Sequence, residues 1–171
     1  MSATERIEPY DKRYAVRSFD SGQPALDRWL IQYAGQNERR NTARTYLAVD
    51  DRDVVVGYYS LVASEIKQAD ATAALKAGTS PHFPIPACLL TRLAVDHRHQ
   101  GRKIGSELLF HALGRVLRGS QHIGIRGLVV SAIDANAADF YGHFAFDALD
   151  TDRRKLMVPL ETIERLAGPA R

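Results

Sequence analysis

The stretch Leu89-Leu90-Thr91-Arg92-Leu93-Ala94-Val95-Asp96-His97-Arg98-His99-Gln100-Gly101-Arg102-Lys103-Ile104-Gly105 decides how this chain reads. Leu89 to Val95 has the apolar character of a strand. Behind it comes a short basic loop. Then Ile104, Leu108, Leu109, Ala112, Leu113, Val116 and Leu117 trace a wide apolar helical stripe. Strand, basic glycine-containing loop and helix together make an arrangement for capturing an anion. A helix N-terminus presents unpaired N–H groups and a partial positive charge, so a diphosphate can sit there. Gly101 and Gly105 let the backbone approach without a Cβ in the way, and Arg98, Arg102 and Lys103 add charge. A dinucleotide fingerprint needs three glycines in Gly-x-Gly-x-x-Gly, and a P-loop needs Gly-Lys-Ser/Thr; neither is present.

Outward from this segment, helices and strands alternate, which predicts an α/β architecture. Ser21-Gly22-Gln23-Pro24 starts a helix, with Pro in the first turn where its missing N–H costs nothing. Leu26, Trp29, Leu30 and Tyr33 follow at helical spacing, and the helix continues to Arg40. Thr45 to Val49 reads as a strand, Asp50 to Asp53 as a turn, and Val54 to Ser60 as the returning strand, running on to Ile66. Residues 67–86 hold a short helix from Ala69 to Ala77, then Gly78 and three prolines, Pro81, Pro84 and Pro86, which mark a mobile or functional loop. Downstream, Leu128 to Ala132 is a strand apolar enough to be buried on both faces. Asn136 to Phe144 reads as a helix, Arg154 to Val158 as a strand, and Glu161 to Leu166 as a terminal helix.

The composition supports one domain over residues 1–171. Hydrophobic residues make up 45% and charged residues 25%, which is the balance of a chain that folds around a core. The lone Cys88 excludes an internal disulfide, and no Cys/His spacing resembles a metal site. No apolar run approaches membrane-spanning length, and the N-terminus leads into no signal-like segment, so a cytoplasmic location is expected. The net charge of +3 is modest. Its placement is more informative: Arg39, Arg40 and Arg44, then Arg98, Arg102 and Lys103, then Arg153, Arg154 and Lys155 form three clusters, the footprint of a surface that attracts a polyanion. Solvated loops and helix ends are the plainer account of any one cluster.

Arg92-Leu93-Ala94-Val95-Asp96 followed by Gln100-Gly101-Arg102-Lys103-Ile104-Gly105 resembles the acetyl-CoA signature of GNAT acetyltransferases, Gln/Arg-x-x-Gly-x-Gly/Ala, with Lys103 at the first motif glycine. Asp134-Ala135-Asn136-Ala137-Ala138-Asp139-Phe140-Tyr141-Gly142-His143-Phe144-Ala145-Phe146 is similar to the family's Asn-x-x-Ala-x-x-Phe-Tyr-x-x-Phe-Gly-Phe region. Here Asp134 stands at the Asn position and Ala145 at the Gly. Two ordered motifs, separated by one helix and one strand, are far more specific than either alone. Phe19-Asp20-Ser21-Gly22, Gln36 to Arg40, Ala43 to Tyr46 and Val56 to Leu61 further resemble the GNAT toxins of type II toxin–antitoxin systems.

This resemblance implies a GNAT fold: a mixed central sheet of about six to seven strands flanked by helices, with acetyl-CoA at the splay between two central parallel strands. It implies cofactor contacts from Leu93, Ala94, Val95, Arg98, Gln100, Gly101, Arg102, Lys103, Ile104, Gly105, Ser106, Asn136 and Phe140, and no metal. Tyr141 is the implied general acid: a phenol stays protonated at neutral pH and can donate to the leaving sulfur. Asn136 is equally readable as the N-cap of its helix. No general base is evident, although Glu38 and Glu65 can be imagined acting through water. An α-amine, with a pKa of roughly 7.7–8.0 against about 10.4 for lysine, needs a base least.

The toxin branch further implies transfer of acetyl to the α-amino group of aminoacyl-tRNA, blocking translation. Its members are dimers silenced by a ribbon-helix-helix antitoxin. Arg39, Arg40, Arg44, Lys76, Arg92, Arg153 and Arg154 are then the phosphate contacts. Two other readings stand beside it: an acetyltransferase of a small amine or protein N-terminus, and a catalytically silent acyl-CoA-binding regulatory domain.

Overall fold

The computed structural model describes residues 5–149 and 151–168. Its seven strands form one sheet in the order β1-β2-β3-β4-β5-β7-β6. The strands are β1 Arg6–Pro9, β2 Arg44–Val49, β3 Val55–Ile66, β4 Ile85–Val95, β5 Gly127–Ser131, β6 Asp147–Ala148 and β7 Lys155–Pro159. The helices are α1 Pro24–Arg28, α2 Ala34–Arg39, α3 Ala73–Lys76, α4 Ile104–Gly119, α5 Ala135–Gly142 and α6 Leu160–Ala167. Two compact units divide the chain: Met1–Val62 with Thr91–Ala112, and Ala63–Leu90 with Leu113–Arg171.

In the first unit β1, β2 and β3 run antiparallel, with a register shift between Ala48 and Val49. Asp50 builds the β2–β3 turn as expected: its carboxylate accepts from Arg52 N and Val54 N, both at 2.9 Å. One apolar cluster gathers Tyr14, Phe19, Trp29, Leu30, Leu47, Tyr58 and Ala94. Successive residues of β3 face opposite ways. Tyr58 stacks on Trp29 with ring centroids 6.0 Å apart. Its neighbour Gly57 has no room for a side chain, because a Cβ there would stand 2.9 Å from Leu108 and 3.3 Å from Ile104. Helix α4 therefore lies against one face of β3 and the α1 segment against the other.

Between α1 and α2 the chain makes a π turn over Trp29–Tyr33. This corrects the sequence reading of one regular helix. The wider turn inserts a residue into the register, so the buried stripe runs Trp29, Leu30 and Ala34 instead of ending on Tyr33, which is 44% exposed.

In the second unit β4 and β5 pair in parallel over Cys88–Leu90 and Leu128–Val130, and β7 lies antiparallel to β5. Ile66, Leu75, Ile85, Ala87, Val129, Leu149 and Met157 form its core. The predicted loop over 67–86 ends earlier than expected, because β4 already begins at Ile85 and takes in Pro86. The short helix within it is confined to Ala73–Lys76, capped by the Thr72 hydroxyl. Arg126 closes the unit with paired contacts of 2.6 Å to both oxygens of Glu161.

Candidate active site

The loop between β4 and α4 is built around one carboxylate. Asp96, 1% exposed, ends β4 and caps the 3-10 turn His97–His99 by accepting from Arg98 N. It also accepts from Arg98 Nε at 2.9 Å and Nη2 at 2.8 Å, and from Asp20 N at 3.1 Å. These hydrogen bonds, the Arg98 guanidinium foremost, hold its pKa far below the usual carboxylate range. Arg98 reaches on to Ser18 O at 2.8 Å. Gln100 donates from Nε2 to Val95 O at 3.1 Å and to Ser21 O at 3.3 Å. The Phe19-Asp20-Ser21 segment is thereby tied to the loop.

Gly101 and Lys103 both adopt positive φ, +79° and +64°. The first backbone bond of α4 runs from Glu107 N to Lys103 O. The N–H groups of Ile104, Gly105 and Ser106 therefore precede any helical acceptor and form a donor cluster.

The charges are distributed differently from the expectation. Arg98 is committed to Asp96 and Arg102 lies 3.1 Å from Glu5, so both hold the loop's shape. Lys103 makes no ion pair among the described residues and is the exposed cation at the helix mouth. Leu93 and Val95 are half-buried on β4, and Ala94 is buried in the core cluster.

The second motif lies in the other unit. Asp134, not Asn136, is the N-cap of α5: its Oδ1 accepts from Ala137 N at 2.8 Å. Asn136 sits in the first turn with its side chain exposed, because the helix starts one residue earlier than the sequence suggested. Tyr141 is 6% exposed, and its ring packs against Phe140 at 5.2 Å and Phe146 at 5.5 Å. Burial pushes its pKa well above the ordinary phenol value. Its hydroxyl has no hydrogen-bond partner among the described residues, so its proton is free for another acceptor. Phe140 packs against Phe144 at 5.3 Å. Ala145, at the family's glycine, keeps a positive φ of +63°. In the same unit a cleft of about 510 Å³ opens beside Leu89, Val129 and Ser131, with Glu65, Lys67 and Lys155 on its walls.

The chain matches the family description "Acetyltransferase (GNAT) domain" over residues 41–147. It belongs to the GNAT acetyltransferase family. The seven-stranded mixed sheet is accordingly a GNAT sheet, and the β4–α4 loop and the Tyr141 helix are the two places where GNAT motifs were expected. A tRNA-acetylating toxin of Mycobacterium tuberculosis (strain ATCC 25618 / H37Rv) is 37% identical over 167 residues, 98% of this chain and 97% of that protein. Among solved structures, a tyrosine-to-phenylalanine variant of KacT superposes with a TM-score of 0.88 at 29% identity, covering 95% of this chain and 98% of that one. AtaT complexed with acetyl-methionyl-tRNAfMet gives 0.87 at 31% identity, covering 95% and 99%.

Several expected residues take duties that spacing alone did not reveal. Glu38, imagined as a base, holds Arg44 at 2.9 Å and accepts from Thr45 N at 3.0 Å, so it serves the α2–β2 corner. That pair also occupies Arg44. Arg39, Arg40, Arg153 and Arg154 make no ion pair among the described residues and lie on exposed helix ends and turns; Lys76 is exposed in the last turn of α3. Among the described residues no group of His, Cys, Asp or Glu is arranged to hold a metal ion, and no helix is long and apolar enough to cross a membrane. Asp96 is the organising residue of the β4–α4 loop, and sequence reasoning gave it no such part. Its signal was present: an acid directly before a basic 3-10 turn is an Asx cap.

Proposed function

We propose that this GNAT enzyme transfers acetyl from acetyl-CoA to the α-amino group of aminoacyl-tRNA and thereby stops translation. The observation that carries the reading is likeness along the full length to a tRNA-acetylating toxin, 37% identical across 98% of the chain. AtaT, a structural neighbour, has been solved with acetyl-methionyl-tRNAfMet, and the charge on this chain suits the same class of acceptor.

Each residue has a definable task. The N–H groups of Ile104, Gly105 and Ser106, with the Lys103 ammonium, hold the pyrophosphate, while Asp96, Arg98 and Gln100 keep the loop in shape. Backbone groups of Leu93 and Val95 hold the pantetheine arm and polarise the thioester carbonyl; Asn136 and Phe140 are the further cofactor contacts. The amine nitrogen bonds to the acetyl carbon, the carbon–sulfur bond breaks, and Tyr141 gives its hydroxyl proton to the departing sulfur. The nucleophile's own proton passes to water, and water returns a proton to the Tyr141 oxygen and restores the phenol. Arg39, Arg40, Arg44, Lys76, Arg92, Arg153 and Arg154 contact tRNA phosphates. We further propose a homodimer acting in the cytoplasm and silenced by a ribbon-helix-helix antitoxin; AtaT has been solved bound to the antitoxin AtaR.

Labelled acetyl-CoA, offered with total tRNA in charged and deacylated form, tests this. Label on charged tRNA alone, released by mild alkaline deacylation, is the expected result. Label on neither overturns the tRNA reading and directs the search to small amines and protein N-termini.

A further inference from the structure

Arg92 stands apart from the other cations of its unit. Its guanidinium carbon lies 4.2 Å from the centre of the Trp29 ring. It makes no ion pair and no hydrogen bond among the described residues, whereas Arg44, Arg98 and Arg102 each have a carboxylate. The side chain is half-buried, and that burial lowers its pKa from the ordinary arginine value. A guanidinium withdrawn from water without a counter-charge is costly unless a ligand supplies the anion. Contact with the indole face holds the guanidinium in place, and a planar fork so held can present two N–H groups to two oxygens of one anion.

The position says which anion this is. Ala94, two residues along β4, belongs to the cluster of Trp29 and Tyr58, and side chains alternate along a strand. Arg92 thus lies on the face of β4 covered by the π turn. Helix α4, whose N-terminus forms the phosphate loop, packs on the other face, against Gly57. An anion held by Arg92 is therefore separated by the sheet from that loop. It nonetheless sits one residue before Leu93, the start of the stretch expected to hold the thioester. The π turn itself is an irregularity of a kind that recurs at functional sites, and here it is what sets Trp29 beneath Arg92.

We infer that Arg92, held over the Trp29 ring, anchors a backbone phosphate at the single-stranded 3′ end of the acceptor tRNA, on the sheet face opposite helix α4. The inference rests on the tRNA reading and deepens it. Among the proposed phosphate contacts it gives Arg92 the placement of the acceptor end.

The test is steady-state acetylation of charged tRNA by the full chain, with Arg92→Gln and Arg92→Lys beside the wild type. Acetyl-CoA affinity is measured in parallel by calorimetry. Arg92→Gln is expected to raise KM for charged tRNA about tenfold while acetyl-CoA affinity stays within about twofold. The slope of log(kcat/KM) against log salt is expected to become shallower by about one. Arg92→Lys, which keeps the charge but not the planar fork, is expected to restore the slope and only part of the affinity. Unchanged KM and slope in Arg92→Gln would overturn the anchor while leaving tRNA acetylation standing. So would an equal loss of acetyl-CoA affinity, which marks a structural role. A wild-type protein inert on charged tRNA removes the occupant and the underlying reading together.

Discussion

Lys103 holds a backbone conformation with φ +64°, which costs a residue bearing a Cβ roughly 1 kcal/mol. The family places glycine there, and the loop keeps glycine's geometry without the glycine. In exchange the chain gains an uncommitted ammonium at a helix N-terminus. Lys103→Gly is expected to raise stability by roughly 0.5–1 kcal/mol, offset in part by glycine's greater unfolded-state entropy, and to weaken acetyl-CoA binding several-fold. Thermal unfolding without ligand and calorimetry with acetyl-CoA measure the two effects separately. Tyr141→Phe removes only a hydroxyl that no described residue binds. Its predicted cost is a fall in kcat of about 10²–10⁴ with acetyl-CoA affinity nearly intact; undiminished turnover would remove Tyr141 from the mechanism. Because burial raises the Tyr141 pKa, the acid stays protonated through neutral and moderately alkaline pH. The initial rate of acetyl transfer, normalised to the charged tRNA still intact at each pH, is then expected to rise with the neutral fraction of the α-amine, near pH 7.7–8.0, and then to level off. A fall in that normalised rate between about pH 8 and 9 would count against this assignment.

At the scale of elements, most of the fold was legible. The hairpin of β2 and β3, the stripe of α4 and the apolar β5 each follow from a clear period or a turn-forming cluster. The π turn was not, because Leu26, Trp29, Leu30 and Tyr33 fit an ordinary helix, and a one-residue insertion has no composition of its own. It shows only in which side of the chain is buried, Ala34 and not Tyr33. The two-residue strand β6 is too short to carry a period. The start of α5 was displaced because Asp134 was weighed as a substitute for a motif Asn, when its local chemistry is that of a cap. Asp134→Ala is expected to destabilise the protein by about 1 kcal/mol, read by urea unfolding. Asn136→Ala, at an exposed position without a capping bond, is expected to leave that midpoint unchanged.

Across the whole molecule, the formal charge of +3 hides an uneven distribution. Glu38, Asp96 and Glu5 pair with cations of the first two basic clusters, while Arg39, Arg40, Arg92, Lys103, Arg153 and Arg154 make no ion pair among the described residues. The sequence could locate the clusters, and Asp96–Arg98 and Glu38–Arg44 are local pairs, but Glu5–Arg102 could not be foreseen because its partners lie far apart along the chain. The same uneven distribution governs acid stability. Asp96 and Glu161 both have depressed pKa values, each with an arginine hydrogen bond as the leading cause. Glu161 is exposed, with 63% of its side chain open to water, so solvent screens most of its contribution. Asp96 is buried and joins β4, the β4–α4 loop and the Phe19-Asp20-Ser21 segment. A carboxylate with a lowered folded-state pKa contributes stability above its unfolded value, near 3.9, and loses it as the pH falls toward the folded value. The wild type is therefore expected to lose stability steeply below about pH 4. Asp96→Asn, which cannot ionise, is expected to be weaker by roughly 2 kcal/mol at pH 7 and to show a flatter acid limb. Urea midpoints of the two proteins from pH 7 to pH 2 decide the matter: converging curves assign the acid limb to Asp96, and parallel ones assign it elsewhere.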